Sequence, residues 1–235
     1  MITILKIYFG GYNMEQCFCE LIKKKYFIDI NINEITTYKD IEEKGIDLDD
    51  LLIDIMKQIV FEKDEVYVNH LLYLVNINYI PAIQVLAYLY INGIFYETNY
   101  EEALHWYTKA AEKGDCESQF NLASMYRNGE GTKKDLDKAI YWYSKAFEQG
   151  DDEALNCIAT IYLDEDIEIK DYKEIISLFE KAANLGNANA AYNLGIIYDK
   201  GLIGFQDLEL AKKFYQQAAK KGCKEAKKKI KTLGM

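Results

Sequence analysis

The sequence repeats itself at a fixed period of 36 residues between positions 81 and 223. A fixed period of about 20 to 50 residues is the signature of a repeat array, in which each copy is one supersecondary unit. Tyrosine and glycine mark the period most clearly, at Tyr90, Tyr126, Tyr162 and Tyr198 and at Gly114, Gly150, Gly186 and Gly222. This period constrains the architecture more strongly than any other feature of the chain.

Each copy predicts two amphipathic helices. In the second copy, apolar residues at spacings of three and four fill segments 120–126 and 139–147. These spacings place apolar side chains on one face of a helix, whereas a strand would alternate them. Glycine follows each second helix, because it enters the left-handed conformation without a steric penalty. We therefore expect the residues after these glycines, Asp115, Asp151 and Asn187, to cap the next helix.

The copies share the pattern A-x-x-x-L-G-x-x-Y, then G-x-G, then K-A-x-x-W-Y-x-K-A-A-E-x-G. The second copy carries it in Leu122-Ala123, Tyr126, Gly129, Gly131, Lys138-Ala139, Trp142-Tyr143 and Lys145-Ala146. This pattern resembles the Sel-one-like repeat, a relative of the tetratricopeptide repeat. The third copy departs from it, because Leu163-Asp164-Glu165-Asp166 replaces the glycine connector. The resemblance implies a scaffold or adaptor without catalytic activity, often in bacteria.

We predict an all-α fold, namely a right-handed α/α solenoid of 36-residue helix hairpins, preceded by a small segment of α+β character. In that segment two strands flank a helix over residues 14–25. Two helices, 48–61 and 66–75, come before the first repeat. The expected divisions are an N-terminal segment over 1–45, a degenerate repeat or N-terminal cap over 46–80, four repeats over 81–223, and a C-terminal capping helix over 224–235.

A run without charged residues, Val66 to Tyr96, is long enough to span a bilayer. However, Asn78 falls in the glycine column, 36 residues before Gly114, and asparagine is the next best left-handed residue. Pro81 suits the first turn of a helix. We therefore predict two helices joined at Asn78. The start of the chain has no basic lead and no small-residue cleavage site, which favours a cytoplasmic protein without a membrane span.

The charge of the chain argues against nucleic-acid binding. Its net charge is −10, and residues 81–204 hold 11 basic against 21 acidic side chains. Residues 205–235 reverse this balance, with 9 basic against 3 acidic side chains. A nucleic-acid-binding domain needs a basic stripe along one face, which an acidic body does not provide. The basic end predicts the solvated face of a capping helix.

Catalytic and metal-binding patterns are missing from the sequence. The two histidines, His70 and His105, lie in apolar helical columns without a matching carboxylate or nucleophile. The five cysteines follow neither zinc spacing nor a disulfide framework, which favours free thiols in a reducing compartment. Alternating carboxylates occur at Asp164, Asp166, Glu168 and Asp171, but the glycine and final glutamate of a calcium loop do not. We predict no enzyme, no cofactor and no metal.

One line of positions on the first helix of each copy varies between copies. In each copy the line has three positions, spaced four and then three residues apart, which keeps them on one helix face. In stacked helix hairpins, the first helices line the concave side. We call the twelve positions of this line the stripe, and they include Gln84 and Leu163. Its predicted partner-binding members are Tyr88, Ile91, Phe120, Ser124, Arg127, Asn156, Thr160, Tyr192, Ile196 and Asp199. The alternative is ordinary variation on a solvated face.

Three functional hypotheses follow. The first is a protein-interaction scaffold or adaptor that is itself a monomer. The second is an inhibitor, such as an immunity protein that neutralises a basic bacterial toxin, since the resemblance includes proteins of this kind and an acidic body attracts a basic partner. The third is an enzyme whose site lies in residues 1–45.

Overall fold

The computed structural model describes residues 21–22, 38–62, 65–94, 96–164 and 172–232. Within these ranges all regular structure is helical, so the prediction of an all-α repeat-solenoid fold class is confirmed. The two predicted N-terminal strands lie outside the described residues. Of the helix predicted over 14–25, residues 21–22 are described and are helical.

The described ranges contain twelve α-helices. The first five are α1 (Tyr38–Glu42), α2 (Leu48–Lys57), α3 (Glu65–Asn76), α4 (Ile80–Asn92) and α5 (Tyr100–Ala111). The next four are α6 (Cys116–Asn128), α7 (Leu136–Glu148), α8 (Asp152–Asp164) and α9 (Tyr172–Leu185). The last three are α10 (Ala188–Lys200), α11 (Leu208–Lys220) and α12 (Lys224–Thr232). A π-helical turn, Gln58–Glu62, follows α2 and completes the helix predicted over 48–61.

The helices form two compact units. Unit 1 comprises residues 1–118 and 130–132, and unit 2 comprises residues 119–129 and 133–235. The core of unit 1 is built from buried aliphatic residues of α2, α3 and α4, among them Ile55, Leu71 and Leu86. The core of unit 2 mixes alanines with large residues such as Phe179 and Tyr215. Small and large side chains alternate there, which lets the helix backbones approach closely.

The turn after each second helix has the conformation that the glycine column predicts. Asn78 has φ +62°, and Gly114, Gly150, Gly186 and Gly222 have φ between +91° and +110°. The next backbone N–H then donates to a carbonyl five residues back, as from Asp115 to Ala110 at 3.3 Å. This bond satisfies a carbonyl that the helix end leaves open.

The predicted helix caps are also present. The Asp115 carboxylate accepts from the backbone N–H of Ser118 at 2.8 Å. Asp151 and Asn187 make the same bond to Ala154 and Ala190, at 3.1 and 2.8 Å. Each cap satisfies one of the N–H groups that the first turn of a helix leaves without an intrahelical partner.

The charge-free run is two helices and not one. Helix α3 ends at Asn76, left-handed Asn78 reverses the chain, and α4 begins with Pro81 in its first turn. Among the described residues, no helix combines the length and the apolar character needed to cross a membrane. The predicted junction at Asn78 is therefore confirmed.

The connectors of the first, second and fourth copies are closed by the same backbone hydrogen bond. The N–H of Asn99 donates to the carbonyl of Tyr90 at 3.0 Å, and the N–H of Asp207 donates to that of Tyr198 at 3.0 Å. In unit 1, Gly131 lies so close to Tyr100 that a Cβ there would stand 2.2 Å from the Tyr100 carbonyl oxygen. The second glycine of the G-x-G motif is therefore required by close backbone approach, in addition to its φ of +69°.

Gly195 occupies a column that holds alanine in the other three copies, and its environment explains the difference. A Cβ at Gly195 would lie 2.5 Å from two ring carbons of buried Tyr215. The ring of Tyr215 therefore fills the space that an alanine methyl group takes elsewhere.

We predict that Gly195→Ala destabilises the fold by about 1–3 kcal/mol, because overpacking a dense core displaces the neighbouring ring. The sign is diagnostic, since the same substitution inside an exposed helix stabilises by about 1 kcal/mol. Chemical unfolding followed by circular dichroism measures the change. A more stable variant would show that Tyr215 does not pack against this position.

Candidate functional site

In unit 1, the stripe runs along α4 and offers one exposed aromatic side chain. Tyr88 is 47% exposed, and Ile91 is half-buried. One turn earlier, the Gln84 side-chain amide donates to Asp115 at 2.8 Å and to Glu117 at 3.3 Å. Gln84 is therefore held by the helix cap of the next copy, whereas Tyr88 presents its ring to solvent.

The second helix of this copy places a buried phenol behind Tyr88. Burial, followed by the nearby charge of Glu117 and the hydroxyl of Tyr88, raises the pKa of Tyr107 to about 12. Tyr107 belongs to a column of aromatic residues at the period of 36, which continues in Tyr143, Phe179 and Tyr215. Sequence reasoning did not connect this column to the stripe, although the shared period was a usable signal.

In unit 2, the first stripe members lie on α6 against Tyr143. The rings of Phe120 and Tyr143 meet edge to face with centroids 5.1 Å apart. The buried Tyr143 hydroxyl accepts from Ser124 and donates to the sulfur of Cys157, and Arg127 lies close enough to lower the pKa of both groups. Burial dominates and raises the pKa of Cys157 to about 11. Phe120, Ser124 and Arg127 are all half-buried.

In the third copy, the polar stripe residues make hydrogen bonds within unit 2. Asn156 is buried, its amide donates to Glu153 at 2.8 Å, and its carbonyl oxygen accepts from Asn193 at 3.1 Å. The Thr160 hydroxyl donates to the backbone carbonyl of Asn156 at 2.8 Å. Glu153 also accepts from the Asn187 amide at 2.7 Å, which joins adjacent copies. The polar groups of Asn156 and Thr160 thus serve the interior of unit 2.

The fourth copy combines an accessible ring with a buried carboxylate. Tyr192 is half-buried, and its ring centroid lies 5.6 Å from that of Tyr215. Asp199 accepts from the Tyr215 hydroxyl at 3.0 Å and from the Lys229 ammonium at 3.1 Å, with its side chain only 12% exposed. Ile196 lies between them in sequence and is half-buried.

In unit 2, stripe residues contact the aromatic column. Ser124 bonds the hydroxyl of Tyr143, and Asp199 bonds that of Tyr215. Where the column carries Phe179, the stripe carries Leu163, and both pack into the same core. A buried hydroxyl needs a partner and a buried phenyl ring does not, so the residue types at Ser124, Asp199 and Leu163 have a structural cause.

The structure therefore divides the ten predicted contact residues. Tyr88 is exposed, Asn156 is buried, and the other eight are half-buried. The side chains with accessible apolar surface are Tyr88, Ile91, Phe120, Tyr192 and Ile196. Their role in binding a partner stays a prediction.

No group of histidine, cysteine and carboxylate side chains suited to a metal ion occurs among the described residues. The alternating carboxylates after Asp164 fall in 165–171, outside the described ranges.

The repeats match a known family. The model of the Sel1 repeat matches residues 81–115, 116–151, 161–187 and 188–223, which together exceed half of the chain. The third match is shorter than the others, in the copy that lacks the glycine connector. A comparison with curated protein sequences found no match.

Two solved structures show the same fold over most of this chain. The Sel1 repeat protein from Oxalobacter formigenes is 31% identical, over 67% of this chain and 66% of that one, with a TM-score of 0.58. A protective antigen of uropathogenic Escherichia coli strains, which displays an SLR fold, is 26% identical over 72% of this chain and 36% of that one, with a TM-score of 0.61. This chain thus covers less than two thirds of either relative.

An immunity protein from Pseudomonas aeruginosa also matches, at 21% identity over 63% of this chain and 68% of that one. Its TM-score is 0.35, which is too low to carry an argument about this chain.

We predict that Tyr215→Phe destabilises unit 2 by about 1–3 kcal/mol, because Asp199, whose side chain is 12% exposed, loses a charge-assisted hydrogen bond. The matched control is Tyr141→Phe, whose ring is 53% exposed and whose loss of a hydroxyl should cost less than about 0.5 kcal/mol. Chemical unfolding of both variants measures the difference. Equal stability of the two variants contradicts a structural role for the Tyr215 hydroxyl.

We predict an alkaline loss of stability to which Tyr107 contributes. Its pKa rises from 10.0 in the unfolded chain to about 12 in the fold, so the fold favours the neutral phenol. The resulting stabilisation is complete below pH 10 and is lost as the pH rises from 10 to about 12. Tyr107→Phe should therefore lose less stability than the wild type between about pH 9 and pH 11 in urea unfolding. Parallel profiles for the two proteins contradict this assignment.

Proposed function

This chain belongs to the Sel1 repeat family, and on that basis we propose that it is a protein-interaction scaffold or adaptor that binds its partner along the stripe. The observation that carries the proposal is the solvent-facing aromatic surface of the stripe, above all the exposed ring of Tyr88. Tyrosine is enriched at interaction hot spots, because it buries a large rigid surface at a low entropic cost.

The partner contacts differ between copies. In unit 1, Tyr88 and Ile91 provide the contact zone, and in unit 2 the main zone is Tyr192 with Ile196. The third copy contributes least, because the polar groups of Asn156 and Thr160 are already hydrogen-bonded within the unit. A partner bound in this way depends on a few aromatic anchors rather than on the whole stripe.

In this proposal the protein has no catalytic activity, needs no cofactor and lies in the cytoplasm. Cys157 and Cys223 are free thiols, which suits a reducing compartment. The candidate enzyme site in residues 1–45 remains a hypothesis, and only a small part of that segment belongs to the described residues.

A second candidate function is inhibition of a basic protein such as a bacterial toxin. The supporting observation is charge, since residues 81–204 carry 21 acidic against 11 basic side chains. Two of these carboxylates, Glu117 and Glu153, lie within hydrogen-bond distance of stripe residues. Complementary charge accelerates association with a basic partner and makes the rate sensitive to salt.

The two candidates are separated by a tagged pull-down from the native cell, followed by mass spectrometry. One dominant basic protein, whose association rate falls as salt rises, favours the inhibitor. Several proteins without a common charge favour the scaffold. Retention of the same partners by a stripe variant contradicts both.

We predict that Tyr88→Ala and Tyr192→Ala each weaken binding of the captured partner by about 1–3 kcal/mol. Tyr88→Ala should leave the melting temperature unchanged, because its ring is exposed. Phe120→Ala should lower the melting temperature first, because its ring packs against Tyr143. Calorimetric titration and thermal unfolding measure the two effects separately.

The control is Tyr141→Ala, an exposed tyrosine on a second helix and outside the stripe, which should keep wild-type affinity. If Tyr88→Ala and Tyr192→Ala bind as tightly as Tyr141→Ala, the stripe is not the binding surface.

A further inference from the structure

An apolar patch lies outside the stripe, on the connector between α10 and α11. Leu202 and Phe205 of the connector and Leu208, the first residue of α11, are exposed, Phe205 by 59%. The connector is well anchored, since the Gln206 amide donates to the carbonyl of Asp199 at 2.7 Å. The corresponding connector of the second copy reads Glu130-Gly131-Thr132-Lys133-Lys134. Glu130 and Lys133 thus stand where the fourth copy has Leu202 and Phe205, so a connector of this length forms without apolar side chains at these two positions.

The basic helix α12 lies beside this connector. The Lys229 ammonium is 3.1 Å from the carboxylate of Asp199, the same residue whose carbonyl holds Gln206. Helix α12 contains five lysines and one glutamate, a net charge of +4. Lys200, Lys228 and Lys231 are exposed. We call Leu202, Phe205, Leu208 and these three lysines the basic patch.

Unit 1 carries a second patch of the opposite charge, on α2 and the π-helical turn that follows it. Ile53 and Phe61 are exposed, Phe61 by 77%. Exposed Asp50 stands three residues before Ile53, exposed Glu62 follows Phe61, and exposed Lys57 lies between the two apolar residues in the sequence. Segment 47–62 holds five carboxylates and one lysine, a net charge of −4. We call Asp50, Ile53, Phe61 and Glu62 the acidic patch.

We infer that a second copy of this chain occupies these patches, with the basic patch of one copy bound to the acidic patch of the next. Both patches place large apolar side chains next to charge, and the two charges are opposite. Contact between two identical patches would set like charges against each other, which disfavours a symmetric dimer. Exposed apolar clusters with a charged rim are typical of interaction sites.

The consequence is head-to-tail association. An interface between two different patches leaves one patch of each kind open, so the assembly extends unless it closes into a ring. The contact is small and is therefore expected to be weak, with a Kd on the order of micromolar. The sequence alone favoured a monomer, because it does not reveal which apolar residues are exposed. Neither patch contains a stripe residue, and the inference does not rest on the proposed function.

The test is the mass of the full chain in sedimentation velocity or light scattering as its concentration rises. The average mass of the wild type should increase beyond that of a dimer. Association should weaken about tenfold when salt rises from about 50 mM to about 500 mM, because charges at the edge of a contact are screened. A wild type that stays monomeric up to about a hundred times the expected Kd overturns the inference.

Two variants make the test specific. Phe205→Ser removes the centre of the basic patch, and Phe61→Ser removes that of the acidic patch. Each should weaken self-association at least about tenfold, with an unchanged melting temperature because both rings are exposed. The matched control is Leu185→Ser, which alters an equally exposed residue outside both patches and should associate like the wild type.

Mixing the two variants gives the decisive result. Each variant retains the patch that the other lacks, so an equimolar mixture should form a dimer and stop there. A mixture that stays monomeric, or either variant that still associates like the wild type, overturns the inference. Charge reversal should act in the same way: Lys228→Glu with Lys231→Glu weakens association, and Asp50→Lys with Glu62→Lys in the other copy restores it.

The remaining possible occupant of the basic patch is an anionic membrane. Cosedimentation with vesicles that contain about 30% phosphatidylserine tests it. Vesicle binding that Phe205→Ser abolishes, in a protein that does not self-associate, would assign the basic patch to lipid and overturn the inference.

Discussion

Burial of one aromatic ring from each second helix against the first helix of the same copy is the interaction on which the repeats depend. A buried phenol brings a hydroxyl that must find a partner, and a buried phenyl ring does not. In unit 2, Ser124 and Cys157 meet this need for Tyr143, and Asp199 meets it for Tyr215. The same ring of Tyr215 also excludes a side chain at Gly195. In the fourth copy, Tyr215, Gly195 and Asp199 therefore depend on one another.

This constraint limits what the stripe is free to do. A residue that completes a buried hydrogen bond cannot change without a cost of about 1–3 kcal/mol, so positions such as Asp199 follow the fold first. Apolar stripe positions such as Ile91 and Ile196 complete no buried hydrogen bond and can change with the partner. The proposed binding surface therefore includes only part of the stripe, mainly its accessible aromatic and aliphatic side chains.

The residues of the two charged patches are not subject to this constraint. Charge is spread unevenly along the chain, and the basic helix α12 lies next to a connector whose side chains are apolar where another copy has charged ones. Repeat arrays tolerate such variation, because a connector anchored by backbone hydrogen bonds does not depend on its own side chains. The proposed partner binding on the stripe and the proposed self-association through the two patches can therefore change independently.

The sequence by itself determined the period, the helix pairs, the left-handed turn at Asn78 and the caps at Asp115 and Asp151. These are local properties, set by conformational preference and by hydrogen bonds between residues close in the chain. The tertiary structure alone decided that Asn156 is buried and that Phe120 packs on Tyr143. It also decided that Phe61 and Phe205 face solvent. Helical periodicity gives the face of a residue on its own helix, but burial depends on what the neighbouring helices cover. That covering is set by contacts some 16 to 37 residues apart, such as Asp199 with Tyr215 and Asn156 with Asn193, which no local pattern specifies.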